Sequence, residues 1–156
     1  MEIKPGQLAP DFTLYDSLKN KITLSEQRDK NVLLLFFPLA FTNTCTAELC
    51  SIRDNISFYN SVKAKVFGIS VDALHSLAKY KTEQQLNFTL LSDFNKEVSA
   101  AYGCLYEIFS YNMKGVSKRS AFIIDKTGIV RYAEILEIAS EQPDFKNITQ
   151  VLQDIA

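Results

Sequence analysis

The chain has 156 residues, enough for one domain with a sizeable core, and its 47% hydrophobic and 22% charged residues are those of an ordinary globular protein. A net charge of −1, with 17 basic and 18 acidic residues mixed along the chain, excludes a nucleic-acid footprint or a polybasic membrane patch. No apolar run is long enough to span a bilayer, and the opening MEIKPGQLAPDF lacks the apolar core of a signal peptide. Three cysteines are an odd number, which argues against a fully paired secreted framework. A cytoplasmic protein with catalytic, metal-binding or buried thiols is expected.

Residues 1 to 11 read as an extended lead-in punctuated by Pro5-Gly6 and Pro10. Phe12–Leu14 and Ile22–Leu24 are short alternating pieces around a turn, so an N-terminal hairpin is expected. Ser25-Glu26-Gln27 starts a single helical turn. Val32 to Phe37 is wholly apolar, as in a central strand covered on both faces, and it stops at Pro38.

From Thr42 to about Val62 the pattern is helical, with Leu49, Ile52, Ile56, Tyr59 and Val62 on one face. Val66–Val71 is the next strand, and a right-handed parallel crossover follows from that order. Leu74–Gln85 is a second helix, Phe88–Ser92 a third strand and Lys96–Tyr102 a third helix stopped by Gly103. Tyr106–Gly115 has no period and reads as a loop. Ser120–Asp125 and Ile129–Leu136 flank Lys126-Thr127-Gly128 as a hairpin. Asp144–Ile155 closes as a helix. The expectation is a single α/β domain over residues 1–156, with a mixed central sheet and helices on both faces.

The chemistry concentrates between Pro38 and Cys50. With Thr42 as N-cap, Cys45 is the third helical residue, where free N–H groups and the helix dipole favour a thiolate, the reactive form. The amides of Thr44 and Cys45 are placed to meet developing negative charge. His75 is the only histidine, so a Cys-His constellation has a single candidate base. A thiolate with no base beside it suits attack on a weak O–O or S–S bond. Two close thiols and one distant histidine do not complete a zinc site, and no metal or other cofactor is expected.

Pro38-x-x-x-Thr42-x-x-Cys45 resembles the active-site motif of the peroxiredoxins. The lead-in GQLAPDFTL, the strand LLLFFP and the later SAFIIDKTGIVR are similar to the same family, so the resemblance spans nearly the whole chain. AFTxxCTxELC is similar to the E-type (alkyl hydroperoxide reductase E) and Q-type (bacterioferritin-comigratory) branches. The resemblance implies a thioredoxin-like fold and a thiol peroxidase for hydrogen peroxide or organic hydroperoxides. It implies Cys45 as the peroxidatic cysteine, passing through sulfenic acid. By the same token Thr42 binds the peroxide, Pro38 shields the sulfur and Arg119 stabilises the thiolate and polarises the O–O bond. Glu48 matches a residue that can hold the arginine. Asparagine and threonine at 43 and 44 replace a glycine common in the family's turn, and asparagine tolerates a left-handed backbone.

Lys118 is an alternative cation to Arg119, although arginine's fork suits a two-oxygen substrate better. Cys104 reads as a small core residue. Cys50 resembles a resolving cysteine that would close a disulfide with Cys45. Five residues along a helix place the Cα atoms roughly 8.6 Å apart, beyond disulfide reach. That bond therefore requires the first turns to unwind. The alternative is a one-cysteine enzyme resolved by an outside thiol, with Cys50 as packing.

The expected partners are a peroxide and a thioredoxin-like protein or small-thiol reductant; the E-type resemblance implies a homodimer and the Q-type resemblance a monomer. Phe41 and Tyr111 are candidates for a substrate pocket or dimer seam. A general thiol–disulfide oxidoreductase is the competing enzyme, but a five-residue spacing differs from the C-x-x-C of thioredoxin-type exchange. A redox-sensing binding protein is the non-enzymatic alternative.

Overall fold

The computed structural model describes residues 2–156. A seven-stranded sheet organises them, with spatial order β2-β1-β5-β4-β3-β6-β7. The strands are β1 Thr13–Asp16, β2 Lys21–Thr23, β3 Asn31–Phe36, β4 Ala64–Ser70, β5 Thr89–Ser92, β6 Ser120–Ile124 and β7 Val130–Ile135. β3, β4 and β5 run parallel, while β1, β2, β6 and β7 add antiparallel pairs. The sheet is therefore mixed, as expected. β3 lies between β4 and β6 with all six residues buried, which explains why it shows no apolar–polar alternation.

Alternation survives as a choice between two cores, because successive side chains leave opposite faces of a strand. Leu33, Leu35 and Phe37 face one cluster with α1 (Asn43–Asp54), α2 (Ile56–Ser61), α3 (Leu74–Glu83) and α5 (Phe145–Asp154). Val32, Leu34 and Phe36 face the other, covered by α4 (Glu97–Ala101) and the lead-in residues Ile3, Ala9 and Phe12. Close packing marks the first face: a Cβ on Gly68 of β4 would sit 2.8 Å from a Leu90 methyl. Among the described residues, no helix is long and apolar enough to cross a membrane.

Two expectations are corrected. The helix after Thr42 does not run unbroken to Val62, because it ends at Asp54 and restarts at Ile56. Asn55 lies between at φ −111°, ψ 17°, with its side-chain amide donating to the Ser51 carbonyl at 2.8 Å. An asparagine that bonds back to its own turn competes with the helical ladder. The left-handed residue of the active turn is Phe41 (φ 66°), whereas Asn43 and Thr44 are helical. The loop at 106–115 carries a single 3-10 turn at Ser110–Asn112, closed by pairing of Phe109 with Met113.

Candidate active site

The site forms where β3 ends. The Phe37 amide still bonds to Ile69 O at 2.9 Å, and Pro38, lacking an N–H, stops the ladder. The loop that follows is pinned from β4's far end: Ala40 N donates to Asp72 Oδ2 at 2.9 Å, and the Ser70 hydroxyl donates to the same oxygen at 2.6 Å. Thr42 then takes the N-cap backbone geometry and α1 begins. Cys45 is the third helical residue, as its position in the sequence predicts, and it is 1% exposed.

Thr42 does not use its side chain as a cap. Its hydroxyl donates to Leu39 O at 2.7 Å. That bond consumes the hydroxyl proton and leaves the oxygen as an acceptor. The amides of Thr44 and Cys45 also stay free of a side-chain cap.

Arg119 arrives through strand register. β6 is antiparallel to β3 with Ser120 opposite Phe36, so the residue before β6 lies beside the end of β3. Arg119 is 1% exposed and hydrogen-bonded through all three of its nitrogens. Its Nη2 donates to Cys45 Sγ at 3.3 Å and to Ala139 O at 2.9 Å, while Nη1 donates to Glu48 Oε1 at 2.6 Å. Its partners Glu48 and Cys45 hold it firmly charged despite burial. Lys118 turns away to Glu137, with its ammonium 2.6 Å from the carboxylate, so it is not the cation of this site.

Glu48 lies one helical turn past Cys45 and is wholly buried. Burial outweighs the attraction of Arg119 and pushes its carboxyl up to about 7, and Glu134 adds repulsion. Its second oxygen has no partner among the described residues. A cavity of about 200 Å³ opens onto this cluster, lined by Pro38, Thr42, Cys45, Phe109, Arg119 and Ala139 among others. An atom inside it can approach the sulfur, the guanidinium and the Thr42 oxygen together.

The remaining sequence candidates sort cleanly. Cys50 is half-buried on the same unbroken helix as Cys45, its thiol directed to Gln84 Oε1 at 3.7 Å. Cys104 is buried in the other core, and burial pushes its thiol up to about 12. His75 is exposed on α3. All three cysteines are free thiols. No group of three or more metal-ligating side chains exists among the described residues.

Three contributors escaped sequence reasoning: Asp72, Phe109 and the Ala139 carbonyl. Asp72 follows a strand end, which is a signal for a site in open α/β sheets. The carbonyl of Ala139 comes from an aperiodic segment after β7, and a backbone acceptor leaves no trace in residue type.

The family model described as AhpC/TSA matches residues 5–133. Alkyl hydroperoxide reductase E of Mycobacterium tuberculosis is 40% identical over 133 residues, covering 83% of this chain and 84% of the relative. The crystal structure of peroxidoxin BcpB from Mycobacterium tuberculosis matches with a TM-score of 0.88 at 28% identity, covering 99% of both chains. A thiol peroxidase from Chromobacterium violaceum gives a TM-score of 0.84 at 26% identity, covering 99% of this chain and 88% of that one.

Proposed function

Because the chain belongs to the AhpC/TSA family, with a thioredoxin-like fold, and is a peroxiredoxin that reduces hydroperoxides, we propose that Cys45 is its peroxidatic thiol. The observation that carries this reading is the Arg119 guanidinium 3.3 Å from the Cys45 sulfur, at the base of a cavity that Thr42 also lines.

A peroxide entering the cavity places its O–H toward the Thr42 oxygen, which can only accept. Its terminal oxygen then lies against the sulfur, on the cavity side that Arg119 also lines. The Cys45 thiolate attacks that oxygen, the O–O bond breaks, and the departing alkoxide takes a proton to leave as alcohol, or as water from hydrogen peroxide. Cys45 is left as sulfenic acid. Arg119 donates to the charge that moves from sulfur to oxygen, and its position is held from the far side by Glu48 and Ala139. Pro38, buried beside the sulfur, keeps bulk water off it.

Cys50 is the resolving thiol in this reading. It attacks the sulfenic sulfur, water leaves, and a Cys45–Cys50 disulfide forms once the front of α1 unwinds. A thioredoxin-like protein or a small thiol then reduces that disulfide, chemistry that fits the reducing cytosol. Phe41 and Tyr111 are exposed and neither lines the cavity, which favours a seam with a second copy over a role in holding peroxide.

A general thiol–disulfide oxidoreductase fits less well. A thiol 1% exposed behind a cavity of about 200 Å³ admits a small peroxide but not a protein disulfide. Cys45→Ser is expected to abolish peroxide consumption in a reductant-coupled assay. Undiminished turnover in that variant would overturn the reading.

A further inference from the structure

We propose that Tyr80 is a positioning residue for the resolving half-reaction, a latch on α3 that sets how readily the front of α1 opens. The proposal rests on the reading of Cys50 as resolving thiol and goes beyond it by naming what restrains the helix.

Tyr80 is fully buried and grips both ends of the catalytic turn. Its hydroxyl shares a hydrogen bond of 2.8 Å with Thr46 Oγ1, one residue past Cys45. Its ring meets that of Phe41, one residue before Thr42, in an edge-type contact at a centroid distance of 4.9 Å. Phe41 is held at φ 66°, a conformation that a bulky residue leaves unless its surroundings hold it. The ring contact with Tyr80 supplies such a hold.

The other ties between α1 and α3 lie further back. The Cys50 thiol donates to Gln84 Oε1 at 3.7 Å, and Arg53 Nη1 donates to Gln84 O at 2.6 Å. Bringing Cys50 to Cys45 must break the Thr46–Tyr80 and Cys50–Gln84 contacts. The Arg53 bond sits behind Cys50 and can remain, anchoring the rear of α1 while the front unwinds. Among these breaking contacts the Tyr80 bond is the stronger, since a thiol is a weak donor. Opening also leaves the Tyr80 hydroxyl without its partner in a buried site.

Two fates compete for the sulfenic acid. Cys50 can attack it, releasing water and forming the disulfide. A second peroxide can oxidise it to sulfinic acid, releasing alcohol or water. Only the first requires the latch to open. Tyr80→Phe keeps the ring against Phe41 and removes only the hydroxyl.

The test has two readouts on wild type, Tyr80→Phe, Thr46→Val and the double variant. In amide hydrogen exchange, the segment 46–50 of reduced Tyr80→Phe is expected to exchange about three- to tenfold faster, the worth of one net hydrogen bond, with α5 unchanged. Thr46→Val should match it, and the double variant should add nothing, because both remove the same bond. In peroxide titrations, the concentration at which sulfinic acid equals disulfide should rise by about the same factor in Tyr80→Phe, with the first attack on peroxide within about twofold of wild type. Unchanged exchange over 46–50 would overturn the latch whatever Cys50 does. Faster exchange with no disulfide in any variant would support the latch on α1 and reject Cys50 as resolver. Faster exchange with disulfide formed but an unmoved partition would overturn Tyr80 as a control on resolution.

Discussion

Arg119 and Glu48 form a fully buried ion pair, 2.6 Å apart, that aims the other arm of the same guanidinium at the Cys45 sulfur. The pair explains why an arginine is needed here: one planar fork serves two acceptors at once, which a lysine ammonium on a flexible stem does not reproduce.

Arg119→Lys is therefore expected to slow the first peroxide reaction by about ten- to a hundredfold, the worth of a charge-assisted hydrogen bond. Arg119→Ala should be slower still, and should lose about 3–5 kcal/mol of stability by leaving Glu48 buried without its cation. Most of that stability should return in Arg119→Ala/Glu48→Gln, which removes the stranded charge. Peroxide competition kinetics and urea unfolding check the two effects separately.

Thr42 offers the peroxide an acceptor because its own proton is committed to Leu39 O. Thr42→Val keeps the shape of the side chain and removes that oxygen. Its second-order rate with peroxide should fall about ten- to a hundredfold, while Thr42→Ser should retain most of it. A valine variant as fast as wild type would mean that the hydroxyl only braces the loop.

Glu48 makes stability depend on pH. Its folded value of about 7 lies above the ordinary 4.5, chiefly through burial. Between those values the folded protein keeps a proton that the unfolded chain has released. The contribution is therefore complete below about pH 4.5 and is lost as pH rises through 7, on the order of 3 kcal/mol. Urea unfolding of wild type and Glu48→Gln at pH 4.5 and pH 8 should show wild type losing stability relative to the variant at the higher pH. Parallel pH profiles would show that Glu48 titrates as an ordinary carboxyl.

Cys104 should be chemically silent. Burial pushes its thiol up to about 12, and its side chain is inaccessible. Iodoacetamide should label Cys45 and Cys50 in the native protein and reach Cys104 only after denaturation, as read by peptide mapping. Native labelling of Cys104 would contradict its placement in the core.

How much of this was legible beforehand differs from one feature to another. The run Val32–Phe37 announced a central strand because burial on both faces demands apolar side chains on both. The position of Cys45 in the first turn of α1 followed from Pro38 and Thr42, since a strand stop and a helix start that close leave little choice. The break at Asn55 was hidden, because the apolar spacing of Ile52, Ile56 and Tyr59 continues across it while a single side-chain bond does the breaking. The left-handed Phe41 was hidden too, since a bulky residue is a poor candidate for positive φ and its ring contact is with Tyr80, 39 residues away. Arg119 could be nominated from its segment, but its reach to Cys45 depends on the pairing of Ser120 with Phe36, and pairing register is a tertiary fact. Asp72 carries a positional signal after β4 but no hint that its carboxylate accepts from the Ala40 amide, and the Ala139 carbonyl is a backbone acceptor that residue identity does not encode.

The most direct measurement is peptide mass mapping of wild type, Cys50→Ser and Cys45→Ser after one equivalent of hydrogen peroxide. Wild type is expected to lose two hydrogens and yield a Cys45–Cys50 crosslinked peptide. Cys50→Ser is expected to gain one oxygen, placed on Cys45. Oxygen on Cys104, or oxidation that persists in Cys45→Ser, would contradict Cys45 as the thiol that meets the peroxide.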